Sequence, residues 1–347
     1  MSLRIFALCL VVSGLAACGD GGLYPGEGEA APQRPLTCSI FPPDNAWNTD
    51  VSAFPVDPES DQYIERLSST WRLQFVPNLP INSIDSGLDG VPFVTITYDN
   101  AGDPGPMPIP ADALYHVKDP TKLVTEDNHL VLVDNADCRL YELWSVSGPD
   151  TDGGWTVGSG AIFNLTSNAL RPDHAASSSA SGLPVFAGAV RASEVRAGAI
   201  THALSFPATL TQEGFVRPAT NWQPDAVYLT KLPLACALPT FGFPNLCAEV
   251  LGGTFVYDHP NNAPMGLRIR LKAAFDLLPF SGEARIILEA AKSYGLIVSD
   301  GSGTTGLIRG EKVRDPDAWD WSTSINAQLI QVPASAFEVV ATGPILP

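Results

Sequence analysis

The sequence predicts a mainly β (α+β) fold: a single large β-sandwich or jelly-roll-like domain with long loops and one or two helices near the C-terminus. Three observations carry that expectation. Only 16% of the 347 residues are charged, while 30 are glycine and 31 proline, a composition of many turns rather than of a helical bundle. Apolar residues make up 45% of the chain, enough for a sizeable core. The apolar residues fall mostly in short runs with a period of two or none, bounded by turn formers.

In chain order, the first stretch reads as an address rather than as fold. Arg4 precedes an apolar run from Ile5 to Leu15 that is too short for a mature spanning helix. It ends in Leu15-Ala16-Ala17-Cys18, which resembles the bacterial lipoprotein signal. The expectation is a signal peptide over 1–17, a lipidated Cys18 and a flexible tether to residue 37, followed by one β-rich domain over 38–347. Gly19 after the cysteine, where an Asp would favour the inner membrane, points to export and anchoring at the outer membrane. Residues 19–35 hold almost no large apolar side chain and cannot offset their ordering entropy.

Asp57–Leu67 has the spacing of a short helix and Val91–Tyr98 that of a strand. Asp103–Pro110, with its four prolines, cannot be a central strand. His129–Asp134 (HLVLVD) is a continuous apolar run, expected to be buried on both faces. Cys138–Val146 follows after a hairpin-length connection, and Trp155–Leu165 is a further strand. Asn168–Ser181 is a long serine-rich loop. Strands are also expected around Trp222, Tyr228 and Leu229, at Phe255–His259, over Met265–Lys272, over Leu296–Ser299 and at Phe337–Ala341. Ser281, Glu283, Lys292 and Gly295 mark the start and end of a helix, and a second helical segment is expected over Trp321–Leu329.

A formal net charge of −17 excludes nucleic acid as a partner, because that binding rests on Lys and Arg neutralising phosphates. No cofactor is implied: GSGTTG lacks the lysine of a phosphate-binding loop, the histidines lack zinc-protease spacing and the serines form no nucleophile elbow. After Cys9 and Cys18, four cysteines remain: Cys38, Cys138, Cys236 and Cys247. Three pairings are open. The turn-rich ALPTFGFPNL between Cys236 and Cys247 favours joining those two, which leaves Cys38 with Cys138. No pair has Cys-x-x-Cys spacing, so no metal is expected.

The densest information lies in Gly182–Phe206. Read as a strand, Ile200, His202, Leu204 and Phe206 share one face, with Glu194 eight residues before the imidazole. His202 is a candidate acid or base, Glu194 its partner, and Asp300, at a strand end before Gly-Ser-Gly, a second carboxylate. Arg268, Arg270 and Lys272 form a basic row on one strand face that an anionic ligand would relieve. Trp47, Trp144, Trp155 and above all Trp222 could stack on sugar rings. Each has a plainer reading: a satisfied core histidine, a surface ion pair, a turn aspartate, cations matched by the chain's own carboxylates, buried core tryptophans.

GLPVFAGAVR, GAITHALSF, MGLRIRLKAAFDL and KSYGLIVSD occur here in that order. The chain in this respect resembles a family of secreted bacterial and fungal proteins with no assigned activity, over about Phe41 to Val340. Members tend to carry an Asp where Ser179 stands, so that loop is not assigned catalysis. The expected function is an extracellular polysaccharide-active enzyme, a glycoside hydrolase or a lyase, acting on a possibly anionic glycan and touching the membrane only through its lipid. The alternative is a non-catalytic envelope lipoprotein, carbohydrate-binding or structural.

Overall fold

A computed structural model describes residues 34–115, 128–150, 153–222, 260–301, 304–313 and 319–347. Cys18, the signal and most of the tether, Cys236, Cys247, Tyr228, Leu229 and the Phe255–His259 stretch lie outside the described residues. The domain is mainly strands with few helices, as the sequence predicts.

A five-stranded sheet runs in the order β2 (Ile81–Ile84), β6 (Leu130–Asp134), β7 (Arg139–Trp144), β8 (Trp155–Asn164) and β4 (Ile96–Gly102). β6 is the HLVLVD run, and its burial on both faces has a structural cause. Val131 and Val133 point into the main core, while Leu130 and Leu132 point into a second cluster with Met107, Tyr141 and Trp155. β6–β7 and β7–β8 are antiparallel; β2–β6 and β4–β8 are parallel. The proline-rich loop contributes only β5 (Met107–Pro108), paired with the two-residue β3 (Phe93–Val94), so it stays out of the main sheets.

A four-stranded sheet has the order β15 (Phe337–Val339), β12 (Arg268–Leu271), β13 (Leu296–Gly301) and β9 (Leu204–Ala208). Two parallel pairs complete the strands among the described residues: β10 (Thr211–Phe215) with β11 (Ala263–Met265), and β1 (Trp71–Leu79) with β14 (Thr305–Glu311). The run expected as one strand over Met265–Lys272 is broken by Gly266, whose φ is 84° and whose position leaves no room for a Cβ beside Val216 O.

Among the described residues four α-helices flank the strands: α1 (Ser60–Ser68), α2 (Ala192–Ala197), α3 (Gly282–Ser293) and α4 (Ile325–Leu329). α3 begins after Ser281 and buries Ala284, Ile287, Leu288, Ala290 and Ala291. α4 is shorter than expected, because Trp321 and Ser322 are irregular and Thr323 and Ser324 form a turn before it. Cys38 and Cys138 form a disulfide that ties the start of the domain to the β6–β7 turn.

Candidate functional site

The segment around His202 is not the strand the sequence suggests. Arg191 is the N-cap of α2, Glu194 lies in its first turn and accepts a hydrogen bond from Arg191 N, and Gly198 in the left-handed region ends the helix. That reversal brings Ile200–Ala203 back beneath the helix, and β9 begins only at Leu204. His202 Nε2 lies 3.2 Å from Glu194 Oε2, and Nδ1 lies 2.7 Å from Ala203 O. Arg191 Nη2 donates to Glu194 Oε1 at 2.5 Å. Burial opposes ionisation of Glu194, but the charges of Arg191 and His202 outweigh it and hold its carboxyl below the usual range. The expected His202–Glu194 partnership is therefore present. Its setting is closed: the imidazole side chain is 5% exposed.

Asp300 does not join this pair. It sits opposite Pro207 in the parallel β9–β13 ladder, five residues along the chain from His202 and toward the far end of the strands. The basic row does not face a ligand either. Arg268 is buried and donates to the carbonyls of Ala46, Thr49 and Tyr294. Arg270 pairs with Glu338 at 2.8 Å and donates to Val51 O and Phe54 O. Lys272 Nζ donates to Ser335 O. The alternation was read correctly, but residues 46–54 and β15 cover the face it presents, so Arg268 and Arg270 are corrected from ligand-binding to structural groups. Burial pushes the Arg268 guanidinium down to about 10. Trp47 and Trp155 are core residues; Trp222, half-buried, packs against the main core.

An open site lies elsewhere among the described residues, at the C-terminal end of the β1–β14 pair. A cleft of about 330 Å³ is lined by Phe75, Pro77, Lys312, Trp319, Trp321 and Asn326 among others. Asn326 builds its floor: the side chain accepts from Phe75 N at 2.7 Å and donates to Phe75 O at 2.9 Å, pairing with the β1 backbone as a neighbouring strand would. Trp321 is fixed by Nε1 donating to Glu311 O at 2.9 Å and by an edge contact with Phe75, centroids 4.7 Å apart. Trp319, which packs against the main core, stands perpendicular to Trp321, centroids 5.8 Å apart, and its buried Nε1 has no hydrogen-bond partner. Arg196, on the exposed side of α2, lies over the Trp319 ring at 5.8 Å.

This cleft and the His202 network are linked. Glu311 Oε2 accepts from Ala192 N at the start of α2. Burial pushes the Glu311 carboxyl up, and the nearby Arg191 and Arg196 charges oppose that shift. Sequence reasoning missed Trp319 and Trp321, although Trp-Asp-Trp in an otherwise polar stretch is the kind of signal that marks exposed aromatics. It also missed Glu142, a fully buried carboxylate on β7 that holds the serine-rich loop. Among the described residues no group of three His, Cys, Asp or Glu could hold a metal ion, and no helix is long and apolar enough to cross a membrane.

These features define a β-rich domain with an aromatic cleft and, beside it, a closed ionic network. Comparison with protein-family models, with curated proteins and with solved structures finds no match to this chain.

Proposed function

We propose that the protein is an exported, lipid-anchored, non-catalytic glycan-binding module of the cell envelope, with the Trp319–Trp321 cleft as its binding site. The observation that carries the reading is the pairing of two perpendicular indoles with polar and cationic side chains in one accessible cleft. The C–H-rich face of a sugar ring packs on the electron-rich face of an indole, and its hydroxyls need hydrogen-bonding groups around the rim. The volume lies at the small end of ligand sites, roughly 300–1,000 Å³. The disulfide supports an oxidising compartment, in keeping with the lipoprotein-like Leu15–Cys18 segment.

The enzyme reading has less behind it. A glycosidase needs two carboxylates flanking one bond, and a lyase needs a base that reaches its substrate. Glu194 and His202 are enclosed together, and Asp300 stands apart from them.

Titration of the full-length chain with a panel of neutral and acidic oligosaccharides, followed by calorimetry and tryptophan fluorescence, tests the proposal. Binding of at least one member is expected, weakened by about tenfold or more in Trp319→Ala, a loss typical of an aromatic anchor. No reducing ends and no unsaturated product should accumulate. Failure of every glycan to bind would overturn the reading, and product formation would restore the enzyme.

A further inference from the structure

We infer that the cleft is selective for an acidic glycan, one bearing a uronate or sulfate group, and that Arg196 and Lys312 receive the acid; the inference rests on the glycan-binding reading above. The chain has few cations, and most of those described are already engaged. Basic residues number 20 against 37 acidic ones, and most of those described are matched within the protein. Arg171 pairs with Asp103, Arg191 with Glu194, Arg217 with Asp173 and Arg270 with Glu338. Arg268, Lys272 and Lys292 are bound to backbone carbonyls.

Arg196 and Lys312 differ, as does Arg72, which does not line the cleft. Among the described residues neither side chain has a hydrogen-bond or ion-pair partner, and both border the same cleft: Lys312 lines it, and Arg196 lies on Trp319, which lines it too. Two cations without an ion-pair or hydrogen-bond partner at one aromatic site, in a chain of net charge −17, offer an anion a place to bind, although Glu283 accepts from Ser322 N at the same cleft at 3.3 Å and the Arg196 charge also acts on Glu311. The guanidinium is already oriented by the indole, so less freedom is lost when it meets a carboxylate or sulfate. Lys312 supplies a mobile point charge. Asp320 also lines the cleft and, being exposed, offsets one of the two charges. Glu311, the nearest buried carboxylate, is turned inward onto Ala192 N.

The test compares oligogalacturonate, a sulfated disaccharide repeat and a neutral cello-oligosaccharide on the full-length chain by calorimetry at two salt concentrations. Expected are acidic ligands held about tenfold more tightly than the neutral one, with the preference shrinking at high salt. Arg196→Gln and Lys312→Gln should each lower acidic-ligand affinity by roughly fivefold and lower neutral-ligand affinity by clearly less, so that the preference for acid shrinks. Neutral ligands bound as tightly as acidic ones, or unaltered affinity in both variants, would overturn the selectivity and leave glycan binding standing. No binding of any of the three, or a Trp319→Ala variant that binds all of them normally, would overturn both.

Discussion

Replacing Glu142 by Gln tests how the serine-rich loop is held. Glu142 is fully buried on β7. Its Oε1 accepts from Phe186 N at 2.7 Å; its Oε2 accepts from Val185 N at 2.9 Å and from Ser178 Oγ at 2.5 Å. The carboxyl thus caps the short 3-10 turn Phe186–Gly188 and fixes the loop that leads to α2. Burial pushes its pKa up, while the three donors oppose that. In either protonation state both carboxyl oxygens keep a lone pair for the backbone. A glutamine amide nitrogen has none. Whichever way the amide is placed, one backbone N–H, that of Phe186 or of Val185, faces an N–H and loses its partner. A buried donor left unsatisfied costs about 1–3 kcal/mol. For a domain of this size each kcal/mol moves the melting temperature by roughly 2–4 °C, so the expected drop is about 2–12 °C by calorimetry. Ser178→Ala removes one donor but keeps both backbone bonds, and should cost less than Glu142→Gln. A Glu142→Gln protein that melts within about 1 °C of wild type, or a Ser178→Ala protein that is the more damaged of the two, would refute this account.

Three further perturbations bear on buried groups that hold the fold. Arg268→Met leaves the carbonyls of Ala46, Thr49 and Tyr294 without their donor and should destabilise by about 2–5 kcal/mol in urea unfolding; full stability with lost glycan affinity would instead return Arg268 to a ligand role. Glu194 has a depressed folded-state pKa, so its contribution is present above the ordinary carboxylate range and is lost as pH falls through the folded value. The melting-temperature gap between wild type and Glu194→Gln should accordingly be largest near neutrality and shrink toward pH 3; a gap that grows on acidification contradicts the Arg191–Glu194–His202 network. The Cys38–Cys138 disulfide spans a sequence separation of 100, and its double serine replacement should cost about 2–5 kcal/mol, read as an earlier urea midpoint than in the oxidised protein.

How far the sequence speaks depends on whether a residue's fate is decided by its neighbours in the chain. β6 was legible because a continuous apolar run needs cover on both sides, and both sides have it. α3 was legible for the same reason, its buried stripe and its glycine stop being local. β1 and β14 were not. Pro77 interrupts one, Gly306 and Gly310 the other, and their parallel pairing joins Trp71 to Thr305, a partner no short window contains. The basic row shows the same division within one element. That Arg268 and Arg270 share a face follows from a period of two; that residues 46–54 lie over that face does not. His202 was placed beside Glu194 from spacing alone, yet the geometry that joins them is a helix reversing at Gly198 rather than a strand.

The two cleft tryptophans carry this argument to the functional site. Trp319 and Trp321 are the same residue type, two apart, in the same polar stretch. Trp321 has given its N–H to Glu311 O and its edge to Phe75, so its replacement would loosen the end of the β1–β14 pair. Trp319 also lies edge-on to its neighbour Trp321 and packs against the main core, but its buried Nε1 has no partner, and an arginine lies on its face. A binding site assembled in this way needs one ring to hold the scaffold and another left over for the ligand. Trp321→Ala should therefore lower stability and affinity together, whereas Trp319→Ala, which removes fewer scaffold contacts, should lower affinity with the smaller loss of stability. A Trp319→Ala variant that unfolds as readily as Trp321→Ala would show both rings to be core, and the cleft would lose its ligand-facing wall.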